Sequence, residues 1–290
     1  MFDTSPLLPP EELYGIIGHP LGHSLSPLLF TTLFAATARP AAYFRWDVSP
    51  EQVDDFMRAV RVLHIRGASV TIPHKEAVLP FLDAVSERAR RAGAVNTLYW
   101  EGERLCGDNT DIGGFLAPLE KRQPRRALVL GNGGAARAVL AGLLERGVEC
   151  FVAGRSRHKA EALARDFGAS VLPWEECAHA AWPDADLLVN ATPLGMQGAR
   201  EGETPFPSFP KTGNNGDRLA YDLVYRPRPT RFLREAAAAG WATQDGLAMF
   251  LAQAQEQFRL WTGEIWTPDM AALAKRTLAF AEDEIRHGHC

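Results

Sequence analysis

One stretch restricts the fold more than any other. Leu128-Val129-Leu130 runs directly into Gly131-Asn132-Gly133-Gly134 and on into Ala135-Ala136-Arg137-Ala138, an apolar strand entering a glycine-rich turn that becomes a helix. Glycines there let a pyrophosphate reach backbone N–H groups at a helix N-terminus with no Cβ in the way. A tight strand–helix turn alone would also use glycine, but the surrounding rhythm favours a dinucleotide site. Strands are predicted at Ala127–Leu130, Glu149–Ala153, Leu187–Val189 and Leu219–Leu223, and helices at Ala135–Glu145, Arg157–Phe167 and Thr230–Ala239. Such alternation is the pattern of a parallel sheet with covering helices.

The residues after the second of these strands select the coenzyme. A site for NAD presents Asp or Glu to the ribose 2′-hydroxyl. Here the chain reads Gly154-Arg155-Ser156-Arg157-His158-Lys159. A carboxylate would repel a 2′-phosphate, whereas Arg155 can grip it bidentately and Ser156 can donate to it. NADP is the expected cofactor. Arg157 and Lys159 have an ordinary role as solvated helix residues unless the phosphate lies near them.

From Leu13 to about Gly114 the texture is different, with short apolar runs set among helical stretches and polar, Gly- or Pro-marked loops. Tyr14–Ile17, Ala42–Trp46 and Ala68–Ile72 read as strands, and Val95–Trp100 with Arg104–Cys106 as a hairpin turned at Glu101-Gly102. Ser26 before Pro27 suits a helix N-cap. Ser49-Pro50-Glu51-Gln52 is a capping box opening a helix through Val60. Polar, Pro-containing Lys121–Arg126 marks the expected domain boundary, and Thr204–Gly216 reads as a long loop. Leu247, Phe250, Leu251, Ala254 and Phe258 lie on one helical stripe stopped by Gly263; periodicity leaves open which domain this helix joins.

Length and composition narrow the function. At 290 residues the chain suits two domains, and 46% hydrophobic with 23% charged residues is the balance of a globular protein. A formal net charge of −4 gives no general reason to expect a nucleic-acid partner. No apolar run reaches the ~18 residues a bilayer span needs, and Met1–Pro6 does not begin like a signal peptide. Cys106, Cys150, Cys177 and Cys290 are scattered, which fits reduced thiols in a cytoplasm. No metal is expected. The His287-Gly288-His289-Cys290 tract reads as a frayed terminus.

Several separate stretches together resemble the shikimate dehydrogenase family. They are Gly18-His19-Pro20-Leu21-Gly22-His23-Ser24-Leu25-Ser26-Pro27, Ser69-Val70-Thr71-Ile72-Pro73-His74-Lys75, Gly93–Leu98, Gly107-Asp108-Asn109-Thr110-Asp111, Asn190–Met196, Asp222–Tyr225 and Asp245–Met249. The resemblance covers nearly the whole chain. It implies a two-domain α/β fold, in which an N-terminal α/β substrate domain (1–120, completed by helices in 246–290) accompanies a Rossmann-type NADP-binding domain (121–245). It also implies reversible reduction of 3-dehydroshikimate to shikimate in aromatic amino acid biosynthesis, by a monomer or homodimer whose partners are small molecules, not nucleic acid or membrane.

By the same resemblance, Lys75 and Asp111 are the acid–base pair, and Ser24, Ser26, Thr71, Asn96, Tyr225 and Gln253 meet the substrate. Gly131, Asn132, Gly133, Gly134, Ala135, Gly154, Arg155, Ser156, Arg157, His158, Lys159, Leu223 and Gly246 meet NADP, with Glu87 a further candidate. The chemistry agrees with these residue types. A small polyhydroxylated carboxylate needs short neutral hydrogen-bonding groups, and hydride addition to a ketone needs a proton donor in reach. Taken singly each has an ordinary structural role: Lys75 a solvated lysine, Asp111 a cap or turn residue in Asp-x-Gly-Gly, Gln253 a solvent-facing residue, Tyr225 a packing residue at a strand end. Together they favour a pocket.

The chain departs from the family pattern at Ser69 (usually Asn), Asn132 (usually Ala), Gly154 (usually Asn) and Ala248 (often Gly). Two other functions compete. A quinate/shikimate dehydrogenase using NAD is disfavoured by Ser26, where Thr would suit it, and by Arg155. A non-catalytic NADP-binding sensor would have no reason to keep both Lys75 and Asp111.

Overall fold

The computed structural model describes residues 9–22, 24–178, 184–206, 209–210 and 218–286. Met1–Pro6, His23, His287–Cys290 and much of Thr204–Gly216 lie outside the described residues. In chain order the elements are β1 (Glu12–Gly18), α1 (Ser26–Ala36), β2 (Ala41–Asp47), α2 (Val53–Val62), β3 (Gly67–Val70), β4 (Ala84–Val85), α3 (Glu87–Ala92), β5 (Thr97–Glu101), β6 (Arg104–Asp108) and α4 (Asp111–Leu116). The rest are β7 (Arg126–Leu130), α5 (Gly134–Glu145), β8 (Glu149–Ala153), α6 (Arg157–Phe167), β9 (Ser170–Val171), β10 (Leu187–Asn190), β11 (Leu219–Asp222), α7 (Arg231–Ala238), β12 (Ala242–Gln244), α8 (Leu247–Thr262) and α9 (Pro268–Arg286).

The chain forms two compact units, one of residues 1–86, 95–108 and 254–290, the other of 87–94 and 109–253. The first unit holds a six-stranded sheet in the order β2-β1-β3-β5-β6-β4. β1 runs parallel to β2 and β3, and β5 is antiparallel to both β3 and β6. Its core is aromatic. Tyr14, Phe30, Phe34, Tyr43, Phe258 and Trp261 stack with neighbouring ring centroids 4.8 to 6.2 Å apart, a spacing at which ring pairs add to area burial.

The second unit holds a fully parallel sheet, β12-β11-β10-β7-β8-β9. From the first strand outward this is the order 3-2-1-4-5-6 of the doubly wound dinucleotide fold. β7 shows why. Ala127 and Val129 enter one buried cluster with Val139, Leu140 and Leu143 of α5, while Leu128 and Leu130 enter another with Phe232 and Leu233 of α7. A strand buried on both faces must be apolar throughout, and this one is.

The structure differs from the sequence expectations in definite ways. The compact division does not fall at Lys121–Arg126, because Phe115 and Leu119 pack in the core around Ala127, Val129 and Leu140. The division runs within α8, whose residues from Ala254 onward belong with the first unit. Asp111 opens a helix, not a turn: Gly114 lets α4 lie against α8, since a Cβ there would meet the Met249 carbonyl and the Gln253 Cβ at 2.9 Å. Packing thus overrides the low helix propensity of two glycines. β3 ends at Val70 instead of Ile72. Ser26 is not the N-cap of α1: Leu25 holds that position with no side-chain cap, and Ser24 Oγ accepts from Ser26 N at 3.3 Å.

No helix among the described residues is long and apolar enough to cross a membrane, and none of their His, Cys, Asp and Glu side chains form a group able to hold a metal ion.

Candidate active site

In the first unit, five candidate residues converge on one end of the sheet. β1 and β3 are parallel, with Ile17 beside Val70, so the segments that follow them emerge together. Ser24 and Ser26 come after β1, and Thr71 and Lys75 after β3. Thr71 N bonds Ile17 O at 2.9 Å, and His19 N bonds Ile72 O at 2.9 Å. Gly18 permits this closeness, since a Cβ would lie 2.5 Å from the Thr71 Cγ2. Asn96 arrives from the opposite direction, before antiparallel β5. Its carbonyl accepts from Val70 N at 2.7 Å, and the Lys75 carbonyl accepts from Val95 N at 2.7 Å. Carboxyl ends of parallel strands are where ligands bind in open α/β sheets.

Beneath these residues runs a buried polar network. Tyr43 donates to Ser69 Oγ at 2.8 Å, and Ser69 donates to Gln257 Oε1 at 2.9 Å. Gln257 Nε2 donates to Asn96 O at 3.1 Å and to Thr97 Oγ1 at 3.0 Å, while Thr97 Oγ1 donates to Asn96 Oδ1 at 2.8 Å. The Tyr43 hydroxyl also bonds Ser26, and burial pushes this phenol far above its ordinary pKa. Ser69, the departure noted above, is therefore the link between Tyr43 and α8. Gln257 escaped the sequence reading. Its signal was present: a second glutamine one turn after Gln253, on a helix stripe otherwise apolar.

In the second unit the glycine-rich turn caps β7 at the point where strand order reverses, β10 on one side and β8 on the other. Gly131 has φ +121°, and a Cβ on it would lie 2.9 Å from the Ala191 carbonyl; only glycine fits. Gly133 is the N-cap of α5, and a Cβ there would meet nothing within 4 Å, so the helix N-terminus is open. Ala135 falls in its first turn. Across from it, Gly154, Arg155 and Ser156 connect β8 to α6. Arg155 is exposed and pairs with no carboxylate among the described residues, whereas Arg157 is committed to Glu161 at 2.8 Å. His158 and Lys159 are exposed on the first turn of α6.

The loop after β11 completes this unit's candidates. Asp222 is fully buried and accepts from Asn190 Nδ2 at 2.8 Å, Val224 N at 3.0 Å and Thr230 Oγ1 at 2.6 Å. Loss of hydration on burial pushes its carboxyl up to about 7, against those hydrogen bonds, which act to lower it. The carboxylate ties Leu223 and Tyr225 to the β10 end; Leu223 N also bonds Asn190 O at 3.0 Å. Gly246 N bonds Val224 O at 3.3 Å, and a Cβ on Gly246 would sit 2.2 Å from the Leu223 carbonyl. Tyr225 stacks on Phe250 with centroids 4.7 Å apart. Gln253 is buried, contrary to a solvent-facing role, donating to Phe250 O at 3.0 Å and accepting from Thr110 Oγ1 at 3.5 Å. Glu87 opens α3 and pairs with Arg90 at 3.0 Å. Asp111 belongs to this unit and Lys75 to the first.

Fold and site together define a class: α/β proteins that pair a doubly wound dinucleotide-binding unit with a second α/β unit carrying polar groups at one sheet end. Comparison with known proteins narrows it. Residues 16–98 match the family model described as shikimate dehydrogenase substrate binding domain, and residues 117–195 match that of shikimate / quinate 5-dehydrogenase. A protein named shikimate dehydrogenase (NADP(+)) from Oleidesulfovibrio alaskensis is 52% identical over 88% of this chain and 91% of its own length. Another of that name from Pelobacter propionicus is 48% identical over 87% and 91%. The crystal structure of shikimate 5-dehydrogenase from Thermus thermophilus, in complex with NADP(H) and shikimate, is 41% identical, covers 92% of this chain and 99% of its own, and has a TM-score of 0.78. This chain belongs to the shikimate dehydrogenase family.

Proposed function

We propose that the chain catalyses the NADP-dependent, reversible reduction of 3-dehydroshikimate to shikimate, a step toward the aromatic amino acids. The observation that carries this reading is the convergence of Ser24, Ser26, Thr71, Lys75 and Asn96 on one sheet end. That set offers hydroxyls, an amide and one ammonium, the groups needed to hold a hydroxylated ring acid and move a proton at its ketone.

The second unit fits the dinucleotide. Its bare Gly133 N-cap leaves backbone N–H groups open to a pyrophosphate. Arg155, uncommitted among the described residues, is free to take a 2′-phosphate with Ser156 beside it. When bound, NADPH supplies the hydride. The Lys75 ammonium donates its proton to the oxygen that gains charge, and in the reverse direction neutral Lys75 accepts the alcohol proton. Asp111, in the second unit, is the carboxylate proposed as the other member of the acid–base pair. Ser24 and Ser26 take the ring carboxylate, while Thr71, Asn96, Tyr225 and Gln253 bond the hydroxyls. Cys106, Cys150 and Cys177 are free and buried, in keeping with a reducing cytoplasm.

The test follows nicotinamide absorbance with shikimate and quinate, each offered NADP and NAD. Fast reduction with shikimate and NADP alone is the expected result. Turnover of quinate with NAD at a similar rate would overturn both substrate and coenzyme assignments.

A further inference from the structure

The turn after β7 and the connection after β8 are laced together by one side chain. Asn132, second residue of the glycine-rich turn, donates from Nδ2 to the Ser156 carbonyl at 3.3 Å. The same carbonyl accepts from Ala160 N at 3.0 Å and so begins the hydrogen-bond ladder of α6. To get there the amide passes over Gly154. A Cβ built on Gly154 would lie 2.6 Å from Asn132 Nδ2 and 3.1 Å from its Cγ. Any side chain at 154 would displace the amide, so the two residues are matched: one reaches because the other has nothing to put in its path.

Arg155 stands between the two backbone sites that Asn132 touches. Its strand-side neighbour Gly154 lies under the amide, and the carbonyl of its helix-side neighbour Ser156 is the acceptor. Ser156 is the N-cap of α6, extended at φ −91° and ψ 100°. Fixing that carbonyl fixes the direction in which Arg155 leaves the chain. The bond uses only the main chain of Ser156, so the hydroxyl and the guanidinium both remain for a ligand.

We propose that Asn132 is a positioning residue for recognition of the coenzyme's 2′-phosphate, acting through the Gly154–Ser156 segment without touching the phosphate itself. This rests on the NADP reading above. A residue that only aims Arg155 affects the ligand carrying the 2′-phosphate and spares the ligand lacking it. One neutral hydrogen bond is worth roughly 3- to 10-fold in an equilibrium.

The experiment measures binding of NADP and NAD to the full chain by calorimetry, for the parent, Asn132→Ala, Gly154→Ala, the double variant and Arg155→Ala. Asn132→Ala is expected to weaken NADP about 3- to 10-fold and NAD less than about 2-fold. Gly154→Ala is expected to weaken NADP similarly in the parent but to add little once Asn132 is alanine, because the amide it displaces is gone. Equal weakening of both coenzymes in Asn132→Ala, or the same Gly154→Ala effect in both backgrounds, overturns the inference. If Arg155→Ala weakens NADP selectively while Asn132→Ala changes nothing, the positioning role alone falls. If Arg155→Ala itself fails to discriminate the coenzymes, the phosphate reading falls and this one with it. Melting curves of each variant verify that it is folded.

Discussion

Lys75 lies in the segment that leaves β3, and its carbonyl is tied to Val95 N at 2.7 Å, so removing its side chain leaves the backbone bond in place. Lys75→Ala is therefore expected to lower kcat about 10²- to 10⁴-fold, the usual worth of a general acid–base group, with only a modest change in the KM for shikimate. Steady-state rates in both directions check this, and near-parent turnover removes Lys75 from the chemistry. At this scale the sequence was readable where residue type is dictated by chemistry or backbone geometry. Gly131 and Gly246 had to be glycine because carbonyls of Ala191 and Leu223 occupy the space of their Cβ atoms. The local role of Ser26 was not legible: its hydroxyl goes to Tyr43 on β2, far along the chain, while Ser24 serves its main-chain N–H. Asn132 and Gly154 read as two unrelated oddities, since only the fold brings residues 22 apart in sequence into contact.

Among the elements, α8 does more than its apolar stripe announces. Gln257 is 1% exposed and joins the helix to β3 through Ser69 and to the start of β5 through Asn96 and Thr97. Gln257→Leu would leave the Ser69 hydroxyl hydrogen buried without its acceptor, a loss of about 1–3 kcal/mol, while Thr97 keeps its bond to Asn96 Oδ1. The expected result is a clear fall in Tm and a raised KM for shikimate, as Asn96 loses a support. Because Ser69 and Gln257 share one network, Ser69→Ala added to Gln257→Leu should cost much less than it does alone; simple additivity would show that the network is not a unit. The long strands and helices of the second unit were legible because β7, β8, β10 and β11 are apolar runs punctuated by helices. β4, β9 and β12, of two or three residues, carry too few side chains to leave a period. α4 was hidden by Gly113 and Gly114, whose local preference for turns yields to packing against α8.

Across the whole molecule, each compact unit is built from separated pieces of chain. Residues 87–94 and 109–120 precede Lys121–Arg126, yet Ala92, Ala94 and Ile112 pack with Ala138 and Ala141 of α5. A boundary sought as a polar, Pro-containing stretch follows the chain and misses such a return. The deepest ionisable group of the second unit sets a property of the entire fold. Asp222 titrates near 7 when folded and near 3.8 when not, because burial penalises its charge. Between those values the folded state holds a proton that the unfolded chain has released, so stability falls as pH rises through this window and levels off above it. The stabilisation is complete below about pH 3.8 and is lost on passing 7, a swing on the order of 4 kcal/mol for about three pKa units. Asp83 acts in the opposite sense: Arg61 holds it below its ordinary 3.8, so its contribution changes only in more acidic solution. Asp222→Asn keeps the shape and accepts from Asn190 and Val224 while removing the titration. Urea unfolding of parent and variant at pH 5 and pH 8 separates the effect from all other groups. The variant should gain on the parent by a few kcal/mol between the two conditions. A gap that stays constant would mean that Asp222 is already ionised at pH 5, held so by its three donors, and that hydrogen bonding outweighs burial at the heart of this unit.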